Sequence, residues 1–137
     1  HVYGYLGETD KATEAYERAL ELLEPEVEAS PEDPRLRSSL GIVYASLGRK
    51  EDAIREGLRA TELLTKETDG YYYLPYVIDL AHIYTIVGED EAALDQIEYL
   101  LSNPSWISAP WLEMDPRWNS LRDHPRFLAL MKTYATK

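Results

Sequence analysis

One short pattern occurs three times in this chain of 137 residues. Residues 1–7, 42–48 and 82–88 each carry tyrosine at the third position and glycine at the seventh, with Leu or Val just before the glycine. The copies follow one another at intervals of 41 and 40 residues. A fixed period in this range is typical of stacked helical units that bury a core only against their neighbours. The pattern therefore predicts an array of helix pairs, an architecture that mostly serves binding.

The spacing within each copy predicts two helices, A and B, joined by a tight turn. The glycine that ends each copy can adopt the left-handed conformation that caps a helix. An alanine five residues later (Ala12, Ala53 or Ala93) allows two helix backbones to approach closely. Each unit is thus predicted to be a helix, a turn after the glycine, and a second helix.

Apolar periodicity and capping signals predict where these helices lie. Pro25 should interrupt the first helix B, and Asp33 should cap the next helix with Pro34 at its first position. Asp115 and Asp123, each followed closely by proline, should start short helices. The expected helices cover residues 8–23, 34–47, 49–65, 71–87, 89–102 and 125–134.

These residues resemble the tetratricopeptide repeat (TPR) family. The clearest copy places Leu40, Gly41 and Tyr44 on helix A, and Ala53 and Ala60 on helix B. The third copy has the same spacing, with alanine and leucine in place of the first glycine and the last alanine. The resemblance implies an all-α, right-handed solenoid of about two and a half helix-turn-helix units.

The repeats are predicted to cover residues 1–102, followed by a capping tail over residues 103–137. Their units are a truncated one at 1–33, a second at 34–66 and a third at 67–102. Since the first copy starts in the middle of helix A, we expect the chain to be a fragment of a longer protein. The face of the first helix B, with Ala12, Tyr16 and Ala19, is then expected to be partly uncovered.

All three tryptophans and four of the eight prolines lie in the tail. The main interpretation is a lid over the last unit, with short helices and an apolar side at Phe127, Leu128, Leu130 and Met131. The alternative is a tryptophan-lined ligand site. Residues 112–130 also resemble the end of many bacterial TPR regions that follow cyclase, kinase, TolB-like or transcription-regulator domains. This resemblance implies a bacterial signalling or regulatory protein.

The sequence offers little for catalysis. His1, His82 and His124 are dispersed, and none has the spacing that would place two metal ligands on one helical face. Asp79 and His82 lie one turn apart, which is more typical of a groove contact than of a catalytic pair. The sequence has no phosphate-binding glycine loop and no cysteine. We expect no enzyme activity, no cofactor and no metal.

The net charge of the chain limits the classes of molecule that it is expected to bind. The formal net charge is −11, and the chain has no strong basic stripe of the kind that binds a phosphate backbone. Nucleic acid is therefore not expected as a direct partner. Membrane insertion is not expected either, because no apolar run approaches the ~20 residues of a span. We recognise no signal peptide and predict a cytoplasmic location, although a chain without cysteine fits other compartments too.

The resemblance implies that a concave groove, lined mainly by helix A, holds the partner. Ser39 and Asp79 stand where carboxylate-clamp TPR domains carry basic or polar groups, so a mixed, partly apolar peptide or helix fits better. The alternatives are a solvated spacer, a homodimer through the truncated N-terminal face, or a small-ligand sensor. The predicted groove residues are Arg35, Ser38, Ile42, Ala45, Ser46, Ile78, His82, Thr85 and Ile86.

Gly57 lies on helix B where the family usually has an aromatic residue. We expect a neighbouring aromatic side chain, from Tyr71, Tyr72 or Tyr73, to fill the space. The alternative is that a partner helix docks closely there.

Overall fold

The computed structural model describes residues 2–65, 70–102 and 107–135, and the side chains of residues 10–63, 74–102 and 107–135. All regular structure in these parts is helical, so the predicted all-α helical-repeat solenoid is confirmed. The elements are α1 (Val2–Ala29), α2 (Pro34–Ser46), α3 (Lys50–Thr65), α4 (Gly70–Ile86), α5 (Asp90–Ser102), α6 (Ala109–Met114), a 3₁₀ helix (Pro116–Leu121) and α7 (Pro125–Thr133).

The second and third units have the predicted helix-turn-helix form. Gly48 and Gly88 adopt φ angles of 80° and 82°, the left-handed region that glycine enters without steric cost. The next residue in each turn donates its N–H to the carbonyl of the tyrosine, Tyr44 or Tyr84, at 2.9 Å. These bonds satisfy carbonyls that the helix end would otherwise leave unpaired. The turn after each of these two glycines is confirmed.

The first unit differs from the prediction. α1 continues through Gly7 and Pro25 as one helix, so neither the predicted turn nor the predicted break is present. Residues 10–18 are all exposed, so no neighbouring helix stabilises a turn there and the backbone bonds of a continuous helix prevail. Beyond Pro25, Val27 is buried in a core cluster that also contains Tyr44 of α2 and Ile83 of α4. This contact fixes the last turns of α1 despite the missing proline N–H.

Two core clusters hold the solenoid together. The first joins α1, α2, α3 and α4 through Val27, Tyr44, Ala53 and Ile83. The second joins α4 and α5 to the tail, and Trp118 lies within it with no exposed surface. Residues of the tail therefore pack against α4 and α5 of the third unit.

The last helix also carries one correction to its predicted apolar side. Phe127, Leu130 and Met131 are buried against the third unit. Leu128 is 56% exposed. Successive side chains of a helix differ in direction by about 100°, so Leu128 does not share the buried direction of Phe127.

An ionic cluster fixes α7 to α5. Arg126 donates to Glu91 Oε2 at 2.8 Å, Asp95 Oδ1 at 2.7 Å and Glu98 Oε2 at 2.8 Å. The cap of α7 is His124 rather than the predicted Asp123, since His124 Nδ1 accepts the N–H of Arg126 at 3.1 Å.

Glycines allow α3 to pack closely on its neighbours. A Cβ built at Gly57 would lie 2.8 Å from Ile83 Cδ1 and 3.0 Å from Leu80 Cδ1. Two aliphatic side chains of α4 thus occupy the space next to Gly57. The predicted filling by Tyr71, Tyr72 or Tyr73 concerns side chains outside the described part. A Cβ at Gly41 would meet Ile83 Cδ1 at 2.8 Å and the backbone of α3 at 3.1 Å.

These contacts predict different costs for two matched substitutions. Gly41→Ala should lower the free energy of unfolding by about 1–2 kcal/mol more than Gly57→Ala, because its Cβ meets backbone atoms that cannot move aside. Both variants gain about 1 kcal/mol of helix propensity, so that gain cancels in the comparison. Urea unfolding followed by circular dichroism measures the difference. Equal stabilities would show that the α2–α3 approach is not as close as described.

Candidate protein-interaction face

Helices α2 and α4 form one continuous surface. Ser38 Oγ in α2 donates to Asp79 Oδ2 in α4 at 2.7 Å. The two residues are 41 positions apart, so the bond links equivalent turns of consecutive units. The bond therefore brings together the two helices on which the groove positions were predicted.

Only some of the predicted groove residues have side chains exposed to solvent. Ser38, Ala45, Ile78 and Thr85 are buried, between 3% and 8% exposed. Ser38 is held in the α2–α4 contact, whereas Ala45 and Ile78 belong to the two core clusters. The other five residues keep exposed surface, and we call them the paired face: Arg35, Ile42, Ser46, His82 and Ile86.

The paired face is chemically mixed. Ile86 is 38% exposed and Ile42 is partly buried, so both offer apolar surface. Ser46 uses its hydroxyl on the Ile42 carbonyl at 2.9 Å, within its own helix. Arg35 is 79% exposed in its side chain and pairs with Asp33 at 3.0 Å. A partner would meet aliphatic side chains at Ile42 of α2 and at the C-terminal end of α4, and a guanidinium at the N-terminal end of α2.

The tail closes one side of the paired face. The Trp118 ring meets the His82 ring edge to face, with centroids 6.3 Å apart. Burial lowers the pKa of His82, the nearby Arg117 guanidinium lowers it further, and Asp79 and Asp115 partly oppose these effects. The lowered pKa favours the neutral imidazole at pH 7, and the ring packs edge to face against Trp118.

The cap that starts α2 is repeated at the start of the 3₁₀ helix. Asp33 accepts the N–H of Arg35 at 3.0 Å, and Asp115 accepts that of Arg117 at 2.9 Å. In both cases the arginine side chain also pairs with the aspartate. Hydrogen bonds from these arginines lower the pKa of both aspartates. The 3₁₀ helix, which packs against α4, thus begins with the same pair of an aspartate cap and an arginine as α2.

A second concave region was not found from the sequence. A cavity of about 300 Å³ lies between α2 and α3. Three arginines and two glutamates line it: Arg37 pairs with Glu56, and Arg59 lies 3.7 Å from Glu62. Arg55 lies 3.6 Å from Glu56 and pairs with Asp52 outside the cavity. Residues 34–66 carry seven basic and four acidic side chains, and this local basic excess was the one signal for the cavity in the sequence. The cavity is lined by Arg37, Arg55, Glu56, Leu58, Arg59 and Glu62.

The described part of the chain contains neither a cluster of metal-binding side chains nor a membrane-spanning helix. Among the described side chains, those of residues 10–63, 74–102 and 107–135, no three from His, Asp or Glu are grouped so that they could hold a metal ion. Within residues 2–65, 70–102 and 107–135, no helix combines the length and the apolar character that a membrane span requires.

The comparison with known families gives one match. Residues 1–22 match the family model described as tetratricopeptide repeat. The match lies in α1 and in the predicted first unit, and it supports the TPR interpretation of the repeat pattern. TPR repeats generally mediate protein–protein interaction. No curated protein and no solved structure is significantly similar to the chain.

Proposed function

We propose that the chain is a non-catalytic protein-interaction module and that the paired face binds a peptide or a helix. The observation that carries the proposal is the Ser38–Asp79 hydrogen bond, which joins α2 and α4 into one surface. Partly exposed Ile86 and Ile42 would supply the apolar contacts. Arg35 and His82 would orient polar groups of the partner.

Binding at this face would rely on a preformed surface. Neighbouring side chains in α2 and α4 are buried in the two core clusters, so the helices are held in place before a partner arrives. A rigid site loses little conformational entropy on binding, and more of the contact energy appears as affinity. The partner's apolar side chains would pack on Ile42 and Ile86, a mode that suits an amphipathic helix or an extended peptide.

The wider setting is a further part of the proposal. The tail covers the third unit and resembles the ends of bacterial TPR regions in signalling and regulatory proteins. We place the module in a cytoplasmic protein of that kind, where it would recruit a protein partner. A direct nucleic-acid role is disfavoured by the net charge of −11.

A matched pair of variants tests the proposed face. Peptides selected from a random display library on the wild-type chain should bind Ile86→Asp at least ten-fold more weakly, because a carboxylate replaces the apolar contact. Leu58→Asp is the control, since Leu58 is 39% exposed and Ile86 is 38% exposed. Leu58 lies on α3, away from the paired face, and its substitution should leave affinity unchanged. Fluorescence anisotropy gives the dissociation constants.

The opposite ranking would contradict the proposal. If Leu58→Asp abolished binding and Ile86→Asp did not, the binding surface would be the cavity between α2 and α3. Circular dichroism of both variants checks that each keeps the helical content of the wild type.

Homo-oligomerisation is the second candidate. It is favoured by the open side of α1, where Ala12, Ala15 and Tyr16 are exposed. Two copies meeting there would bring together residues 8–33, which carry ten acidic and two basic side chains. This repulsion disfavours a homodimer at low ionic strength.

A further inference from the structure

The cavity between α2 and α3 presents two exposed arginines that lie one helical turn apart on α3. The side chains of Arg55 and Arg59 are 61% and 46% exposed, and the exposed side chain of Leu58 lines the same cavity. Residues four apart on a helix are neighbours, and like charges in that arrangement destabilise the helix. An anion bound between the two guanidiniums would remove this repulsion.

The least exposed part of the cavity is a neutral ion pair. Arg37 Nη1 donates to both carboxylate oxygens of Glu56, at 2.8 and 3.2 Å. The Glu56 side chain is 6% exposed, so its charge is compensated within the protein. Glu24 and Glu28 of α1 line a separate cavity that borders on the same pair. Because Arg37 is committed to Glu56, a ligand would be held by the two exposed arginines.

The exposed arginines are only partly neutralised. Arg55 Nη1 pairs with Asp52 at 2.9 Å, but Asp52 also pairs with Arg49 at 2.6 Å. Arg59 lies 3.7 Å from Glu62, which is too long for a hydrogen bond. Among the described residues that line the cavity, there are three arginines and two glutamates. The cavity therefore has an excess of one positive charge, in a chain whose net charge is −11.

We propose that this cavity is a second binding site, which holds a carboxylate side chain of a protein partner between Arg55 and Arg59. A guanidinium donates to a carboxylate through paired N–H groups. One carboxylate matches the excess of one charge, whereas a phosphate, with a charge of about −2, exceeds it. An apolar residue beside the carboxylate in the partner would pack on Leu58. The volume of about 300 Å³ is at the lower end for ligand pockets and suits one or two side chains.

The second site does not depend on the paired face. Five of its six described lining residues belong to α3, whereas the paired face belongs to α2 and α4. The two surfaces also differ in chemistry, since the paired face offers apolar contacts at Ile42 and Ile86. An acidic segment is therefore the ligand class that distinguishes the cavity.

A pair of short peptides tests the need for a carboxylate. The probe contains a central Leu-Glu-Leu among alanines and serines, has blocked termini and carries a dye without net charge. Its counterpart contains Leu-Gln-Leu. Fluorescence anisotropy with the full chain should show that the glutamine peptide binds about ten-fold more weakly, because a charge-assisted hydrogen bond is lost. Equal affinities would overturn the proposal.

Variants of the two arginines locate the bound carboxylate. Arg55→Gln and Arg59→Gln should each weaken binding of the glutamate peptide about five-fold, the scale of a well-formed exposed ion pair. Arg18→Gln is the matched control, because Arg18 is an exposed arginine of α1 outside the cavity lining. It changes the net charge equally and should leave the affinity unchanged. Circular dichroism checks that each variant keeps the helical content of the wild type.

Two outcomes of the variant series would overturn the site. One is an unchanged affinity in both cavity variants. The other is an equal loss in Arg18→Gln, which would show attraction to the charge of the chain as a whole.

A phosphoserine peptide distinguishes the two kinds of anion. With phosphoserine in place of glutamate, we expect no gain in affinity, because the additional negative charge has no partner in the cavity. Tighter binding of the phosphoserine peptide would overturn the assignment to a carboxylate. These measurements do not involve Ile42 or Ile86, so failure of the second site and failure of the proposed function remain distinct.

Discussion

Replacing Arg37 by alanine should lower the free energy of unfolding by about 2–3 kcal/mol, because it leaves the buried Glu56 carboxylate with only a longer contact to Arg55, at 3.6 Å. Arg37 Nη1 donates to both carboxylate oxygens of Glu56, at 2.8 and 3.2 Å. The Glu56 side chain is only 6% exposed. Arg37 Nε also donates to the Pro31 carbonyl at 3.0 Å, which fixes the loop between α1 and α2. The Arg37 side chain therefore connects α2 with α3 and with the loop between α1 and α2.

The control is an arginine of the same cavity that has no buried partner. Arg59→Ala should change stability by less than about 0.5 kcal/mol, because the side chain is exposed and its pair with Glu62 is long. The double variant Arg37→Met with Glu56→Leu should recover most of the loss, since no charge is then left buried. Urea unfolding of the four chains measures these differences. An equal loss in Arg37→Ala and Arg59→Ala would contradict the buried pair.

Trp118→Ala should cost about 3–5 kcal/mol of unfolding free energy, as expected for a large aromatic side chain removed from a core. Trp118 has no exposed surface and lies in the cluster that joins the tail to α4 and α5. The cavity left behind would separate the 3₁₀ helix from His82. The change should also release α7, which is fixed by Arg126 and by the same cluster.

Trp118→Phe provides the matched comparison. The indole nitrogen of Trp118 is buried with no hydrogen-bond partner among the described residues. Phenylalanine removes that unsatisfied donor, so it should cost less than about 1.5 kcal/mol despite its smaller volume. Thermal unfolding with calorimetry tests both variants. If Trp118→Ala were as stable as the wild type, the ionic cluster alone would hold the tail in place, and the role given to Trp118 would be contradicted.

Local signals made the second and third units predictable. The glycine caps at Gly48 and Gly88, and the Asp33–Pro34 helix start, depend on residues within one turn of each other. For this reason the helices from Pro34 to Ser102 begin and end close to their expected positions. The same local signal at Gly7 does not lead to a turn, since α3 and α5 are covered by a packed helix A and residues 10–18 of α1 are not.

The candidate site was predictable only in outline. The repeat register assigned groove positions to α2 and α4, but it carried no information on which of these positions lie inside. Ser38 is buried because Asp79 accepts its hydroxyl, and Ile78 is buried because the tail folds onto α4. Both contacts join residues far apart in the chain. The space beside Gly57 depends in the same way on the side chains of Leu80 and Ile83.

Amide chemical-shift mapping tests the central claim most directly. The isotope-labelled chain would be titrated with a peptide selected on the wild-type protein. We predict that the largest shifts will cluster in α2 and α4 around Ile42, His82 and Ile86, with the outer surfaces of α3 and α5 unaffected. Shifts centred instead on the cavity between α2 and α3, around Leu58 and Arg59, would contradict the assignment of the paired face as the binding surface.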